Sequence, residues 1–379
     1  MEAKPVYLDY NATTPVDPRV ADAIEPFLRE HFGNPSSSHV FGQRARMAVE
    51  AARARVAALM GAGPSEIVFT GCATEANNLA IRGVARALRS RGRHIVTSAV
   101  EHPSVAQPCH RLREDGWAVT VVPADEYGRV SPEAVARALR PDTVLVTIMH
   151  ANNETGSIQP IAEIANIVRA RGILLHTDAA QSIGKIPVDV DALGADLLTV
   201  AGHKFYATKG VGALYVRSGT PLAPLMVGAE HEHGLRPGTE NVPLIAGLQE
   251  AARIAGEGLP DASRHMRRLR DRLHQRLARD IPGLLLNGHP DERLPNTLNV
   301  SFPGIKGREL LQAVAADLAA SVGSACHEDE TKASGVLAAM GANAERAAGA
   351  VRFSVGLPTT EEEIDHAAEV LLAAWGRLA

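Results

Sequence analysis

Seven short apolar runs punctuate the first part of the chain: EIVFT at 66–70, HIVTS at 94–98, AVTVV at 118–122, TVLVTIM at 143–149, ILLH at 173–176, DLLTV at 196–200 and GALYV at 212–216. Most are separated by stretches with helical spacing, such as 74–89, 103–114, 131–139 and 160–171. Strands that are apolar on both faces and joined by crossover helices form parallel sheets covered on two sides. The spacing predicts a large α/β domain over 16–258 with a seven-stranded, mostly parallel sheet.

The pattern then changes. A long helical region near 243–280 leads to strands near 283–286, 297–302 and 351–355, with helices at 307–319 and 360–377. This predicts a smaller α+β domain formed by 259–379 together with 1–15. The GEGLP stretch at 256–260 is the boundary candidate on its glycine and proline content.

Composition narrows the classes of function. A chain of 379 residues with 45% hydrophobic and 22% charged residues has the material for a packed core and is not disordered in character. The formal net charge of -4 gives no reason to expect direct nucleic-acid binding. MEAKPVYLDY lacks a basic stretch followed by an apolar core, and no run is apolar enough to span a membrane, so a cytoplasmic, non-membrane protein is expected. Cys72, Cys109 and Cys326 are the only cysteines. So sparse and odd a set suits a reducing compartment, where a cysteine stands out by its reactivity.

Open parallel sheets bind ligands beyond the carboxyl ends of their strands. TGCATEANN follows 66–70 and enters a helix whose free N–H groups suit a phosphate. Glu101-His102 follows 94–98, Asp178 and Gln181 follow 173–176, and His203-Lys204 follows 196–200. A phosphate cradle, an aromatic base, a carboxylate and a lysine together are what pyridoxal 5′-phosphate (PLP) requires. Lys204 condenses with the aldehyde, and Asp178 keeps the pyridine nitrogen protonated. His102 stacks on the ring, and the Gln181 amide donates to the phenolate oxygen. Taken singly, each is ordinary: a lysine or aspartate after a strand is commonly a solvated loop residue, and His102 could simply cap the helix beginning at Pro103.

Eleven ordered blocks then become recognisable, among them LDYNATTP at 8–15, ATEANN at 73–78, ANNETG at 151–156, HTDAAQ at 176–181, GHK at 202–204, RPGTEN at 236–241, GSACH at 323–327 and RFSVG at 352–356. In these blocks the chain resembles the cysteine desulfurase and selenocysteine lyase family of class V aminotransferase-like enzymes. That resemblance implies a fold-type I PLP-dependent transferase and a homodimer with composite active sites. It implies that Lys204 also moves the substrate α-proton while His102 assists. Ala73, Thr74 and His203 would hold the cofactor phosphate, and Thr239 would reach the phosphate of the neighbouring subunit. Asn153 and Arg352 would take the carboxylate of L-cysteine. Cys326 would attack the substrate sulfur and carry it as a persulfide, leaving alanine, and would pass it to a protein acceptor such as an iron–sulfur scaffold or a tRNA-thiolation protein. Such a nucleophile belongs on a mobile loop.

The chain departs from the family's usual pattern at Gly71-Cys72, Ala201, Ala207-Thr208, Gly228-Ala229-Glu230 and Leu357. Four rival readings remain at this stage. Selenocysteine lyase activity shares the ACH sequence at 325–327, and SIGK at 182–185 matches the S-x-x-K of serine hydrolases without its companion motifs. A metal site could use His231 and His233 on one strand face, with Cys326-His327-Glu328 as further ligands. A scaffold that kept the fold and lost the chemistry would not need Lys204, His102, Asp178, Gln181 and Cys326 together.

Overall fold

The computed structural model describes residues 4–323 and 334–379. Its strands, in chain order, are β1 (Val6–Tyr7), β2 (Ile67–Thr70), β3 (His94–Ser98), β4 (Ala118–Val122), β5 (Thr143–Thr147), β6 (Leu174–Asp178), β7 (Leu197–Ala201), β8 (Gly212–Val216), β9 (Leu285–Asn287), β10 (Thr297–Ser301), β11 (Leu318–Ala319) and β12 (Ala350–Ser354). Seven of them form one sheet in the order β2-β8-β7-β6-β5-β3-β4. All neighbours are parallel except β8, which runs antiparallel to both β2 and β7. Every residue of β3, β5 and β7 is buried, which is why those segments show no alternation of apolar and polar positions.

Helices α1 (Pro18–Arg29), α2 (Val40–Leu59), α3 (Ala73–Ala87), α4 (Pro103–Glu114), α5 (Pro132–Ala138), α6 (Ile161–Arg169) and α7 (Val190–Leu193) precede the long α8 (Val242–Asp280). α1 and α2 are absent from the predicted elements. On one side of the sheet, Val49, Val56, Phe69, Val200 and Leu248 belong to one buried cluster. Burying each such side chain stabilises the fold by about 1.5–3 kcal/mol. Elsewhere Leu269, Leu273, Phe302, Phe353 and Leu371 form a second core, beneath the antiparallel sheet β9-β10-β12.

α8 serves both cores. It is one helix of 39 residues with GEGLP in its interior, including Pro260. Its first half gives Ile245, Leu248 and Ala252 to the first core. Its second half gives Met266, Leu269, Leu273 and Leu277 to the other. The expected helix at 307–319 is a correction: α9 (Gly307–Ala313) stops early, and Leu318–Ala319 instead pair in parallel with Val6–Tyr7. Burial of Leu8, Val314 and Leu318 in the second core favours that pairing, so tertiary packing overrides local helix propensity here.

Candidate active site

The carboxyl ends of β2, β3, β6 and β7 open on one cavity of about 270 Å³. Ala73, Thr74, His102, Asn153, Asp178, Gln181, His203, Lys204 and Arg352 all line it. Of the sequence-predicted site residues, two stand apart. Thr239 is exposed, and it is not among the residues of this cavity. Cys326 lies outside the described residues. Gly323 and Ser334, the described residues flanking that segment, both lie against Glu154: Ser334 Oγ donates to its Oε2 at 2.5 Å, and a Cβ added at Gly323 would stand 3.0 Å from the same oxygen. Glu154 adjoins Asn153 of the cavity wall.

Lys204 ends a short 3₁₀ turn, Gly202–Lys204, directly after β7. Its Nζ donates to the Asn11 carbonyl at 2.6 Å and the Ala12 carbonyl at 2.7 Å. Two residues on, Tyr206 takes φ 71°, a conformation rare outside glycine. It is held there by its amide donating to Thr14 Oγ1 at 2.9 Å and by its hydroxyl accepting from the Leu357 amide at 2.7 Å. Strain at such a position persists only where the surroundings over-determine it. Here it turns the chain immediately after Lys204.

Asp178 closes β6 with its carboxylate pinned from two sides. Asn77 Nδ2 donates to Oδ2 at 2.7 Å and the Ala180 amide to Oδ1 at 2.9 Å. Gln181 Nε2 donates to the Asn11 carbonyl at 3.0 Å. His102 is both things the sequence allowed: it caps α4, with Nδ1 accepting from the Ser104 amide at 3.1 Å, and it lines the cavity. Burial pushes its imidazole below the ordinary range; Asp178 opposes that and Lys204 adds to it. Burial, with Lys204, Lys209 and Lys185 nearby, pushes His203 down to about 4.

The residues present fit PLP. No side chain caps the N-terminus of α3, so its first N–H groups remain for an anion. A Cβ on Gly212 would approach the Cys72 carbonyl carbon to 3.0 Å and the Val200 oxygen to 2.7 Å, so glycine lets β8 run close beneath this first turn. A pinned carboxylate, a lysine amine and an amide donor surround the same space. Arg352 on β12 adds a cation: Nη1 donates to the Asn153 carbonyl at 3.0 Å and Nη2 to Asp9 Oδ1 at 2.7 Å, while its buried Nε has no partner.

Among the described residues the rival sites are not assembled in this way, and Cys326-His327-Glu328 of the metal reading lie outside them. Lys185 donates to Gln181, not to Ser182, whose buried hydroxyl has no hydrogen-bond partner. His231 and His233 do not share a strand face: Glu232–Gly234 form a 3₁₀ turn with His233 at φ 59°. Glycine at 234 and the buried Arg53–Glu232 pair turn the chain there. Among the described residues no three His, Cys, Asp or Glu side chains gather as a metal site. Sequence reasoning assigned no role to Asn11, Asn77 or Ser104, and gave Lys185 one only in the hydrolase-like SIGK stretch. Asn11 and Asn77 lie inside recognised blocks, but their roles are hydrogen bonds to residues distant in sequence.

The Aminotransferase class-V family model matches residues 6–366. A protein of Dictyoglomus turgidum named cysteine desulfurase IscS is 46% identical over 367 residues, covering 97% of this chain and 93% of that protein. A solved structure described as a NifS-like protein superposes with a TM-score of 0.93 at 40% identity, over 99% of this chain and 100% of the other. A structure of SspA in complex with cysteine gives a TM-score of 0.83 at 37% identity, over 93% of this chain and 99% of that one.

Proposed function

Because this chain belongs to the class-V aminotransferase family, we propose that it is a PLP-dependent cysteine desulfurase, which removes sulfur from L-cysteine, leaves L-alanine and carries the sulfur on Cys326. The observation that carries the reading is the convergence of Lys204, Asp178, His102 and Gln181 on one cavity at the sheet edge. Relatives named cysteine desulfurase, 46% identical along nearly the whole chain, support it.

When bound, PLP supplies an aldehyde that condenses with amines and a ring that accepts electrons from the substrate carbon. Lys204 Nζ holds it and moves the α-proton of the substrate. Asp178 keeps the ring nitrogen protonated, and its own position is fixed by Asn77 and Ala180. Ala73 and Thr74 at the start of α3, with His203, hold the phosphate; Gln181 donates from Nε2. Arg352 and Asn153 bind the substrate carboxylate and so orient the amino acid. The Cys326 thiolate attacks the substrate sulfur: a sulfur–sulfur bond forms, the carbon–sulfur bond breaks, and a proton returned to carbon completes alanine. A second thiol can then take the outer sulfur from the persulfide.

The supporting geometry for Cys326 is the hydrogen bond of Ser334 to Glu154 and the closeness of Gly323 to the same side chain, beside Asn153. In this reading residues 16–258 bind the cofactor, and 1–15 with 259–379 form the smaller domain that carries Cys326. Thr239, exposed and away from its own cavity, serves the phosphate of a second copy in a homodimer. The sulfur acceptor is a protein such as an iron–sulfur scaffold or a tRNA-thiolation protein. No helix among the described residues is long and apolar enough to cross a membrane, and we assign the enzyme to the cytoplasm.

Borohydride tests the cofactor assignment. The purified protein is expected to be yellow, to bleach on reduction, and to carry the reduced cofactor on the peptide containing Lys204. A colourless Lys204→Ala variant agrees with this; label on another lysine contradicts it.

A further inference from the structure

Asp178, Asn77, Ser104 and His102 form one hydrogen-bonded line across β6, α3 and the start of α4. Asn77 Nδ2 lies 2.7 Å from Asp178 Oδ2 and 2.8 Å from Ser104 Oγ. Ser104 Oγ lies 2.8 Å from His102 Nδ1, and the Ser104 amide nitrogen is 3.1 Å from the same atom. Asn77, Ser104 and Asp178 are all buried, so water does not readily substitute for a missing partner in this line.

Counting donors decides where each proton sits. A carboxylate oxygen only accepts, so Asn77 must turn its amide nitrogen, not its carbonyl oxygen, toward Asp178. That nitrogen has two hydrogens, one for Asp178 and one for Ser104. Having accepted from Asn77, the Ser104 hydroxyl gives its single hydrogen to His102 Nδ1. The Ser104 backbone N–H points at the same nitrogen. Nδ1 is therefore a lone pair facing two donors, and the proton of the neutral ring sits on Nε2.

We propose that Asn77 and Ser104 are positioning residues that lock His102 as the Nε2–H tautomer, so that His102 serves the reaction as a hydrogen-bond donor and leaves proton abstraction to Lys204. The role in the reaction rests on the cysteine desulfurase reading; the tautomer does not. For Nδ1 to take a proton, the Ser104 hydroxyl and amide must both give way, which disfavours the charged ring. Burial acts in the same direction. The titratable and charged groups around this ring are Asp178 on β6, Lys204 after β7, Glu101 beside it in sequence, and Arg352 on β12, with Cys72 and His203 lining the same cavity. Arg82 on α3 and Arg111 on α4 line the adjoining groove that His102 also borders. Changing Ser104 leaves all eight in place.

Long-range proton–nitrogen spectra of holoenzyme with ¹⁵N-labelled imidazoles read this directly, with the His102 signals assigned by their loss in His102→Gln. The wild type is expected to show a single neutral tautomer protonated on Nε2. Ser104→Ala removes one donor to the neutral ring and is expected to raise the His102 protonation constant by about three- to tenfold. Ser104→Thr, which keeps the hydroxyl, returns it to the wild-type value. Protonation on Nδ1 in the wild type, a Ser104→Ala constant unchanged within twofold, or failure of threonine to restore it, each overturns the proposal. Alanine release from L-cysteine, measured on the same wild-type sample, separates the two levels: its absence sinks the desulfurase reading while the tautomer is still read from the spectrum.

Discussion

Lys185 Nζ donates to Gln181 twice, to its backbone carbonyl and to its side-chain Oε1, at 3.0 Å each. With Oε1 occupied, the Gln181 amide nitrogen is the end that faces the Asn11 carbonyl. Burial, with Lys204 and Arg352 nearby, pushes the Lys185 ammonium down to about 7. An unfolded chain holds the same proton up to about 10.4. Between those values the unfolded state binds more protons, so the stability contributed at this site rises with pH. In urea unfolding, the difference between wild type and Lys185→Met is expected to move in favour of the wild type by about 2 kcal/mol from about pH 7 to about pH 9. A difference that stays flat contradicts it.

Glu101 has the opposite sign. Burial pushes its carboxyl up to about 8, although Ser98 Oγ at 2.5 Å and the Met149 amide at 3.0 Å both donate to Oε1. Its Oε2 is buried and has no partner. Here the folded state keeps the proton longer than the unfolded one. The contribution is therefore complete below the ordinary carboxylate range and lost as pH rises through about 8. Glu101→Gln removes the titration and is expected to gain about 2 kcal/mol or more on the wild type between about pH 5 and about pH 9. Thermal unfolding of the two proteins across that range measures it.

Arg352 is held in place before any substrate arrives, by Asp9 and by the Asn153 carbonyl. Lysine keeps the charge but loses the planar fork that can span both of these partners and a carboxylate. Arg352→Lys is expected to raise KM for L-cysteine at least about tenfold with a smaller fall in kcat, as loss of uniform substrate binding does. Steady-state kinetics decide it; a fall confined to kcat would place Arg352 outside substrate binding.

The buried pair of Arg53 and Glu232 anchors the segment leading to Thr239. Both Nη atoms of Arg53 lie 2.8 Å from the Glu232 carboxylate, which also accepts from the Phe69 amide at 2.6 Å. Glu232 and His233 both take positive φ, 47° and 59°. Glu232→Ala leaves the buried guanidinium only the Ile67 carbonyl and the more exposed Glu50, and is expected to cost about 3 kcal/mol in urea unfolding. Replacing Arg53 by Met in the same chain should recover much of that loss.

The parts that were legible in the sequence share a local cause. Strands such as HIVTS and DLLTV show no alternation of apolar and polar positions because both faces are covered, and Lys204 and Asp178 are conspicuous because each ends or closely follows a strand. The antiparallel direction of β8 was not legible, since its apolar run reads the same either way. α2 is not legible because alanine and arginine fill VFGQRARMAVEAARARVAAL, so its buried face, Ala45, Val49, Ala52 and Val56, is small and low in contrast. The helix expected to 319 stopped at Ala313 because pairing with β1 is a contact with the far end of the chain. Asn77 is not legible for the same reason: it meets Asp178 101 residues away.

The central claim is sulfur transfer from L-cysteine to Cys326, and the most direct test is alanine release from L-cysteine and L-selenocysteine in parallel, under reducing conditions, by the wild type and Cys326→Ala. The account predicts that the wild type forms alanine from cysteine and that the variant loses that activity while binding PLP normally. Turnover of selenocysteine alone, or full activity of the variant on cysteine, would contradict it.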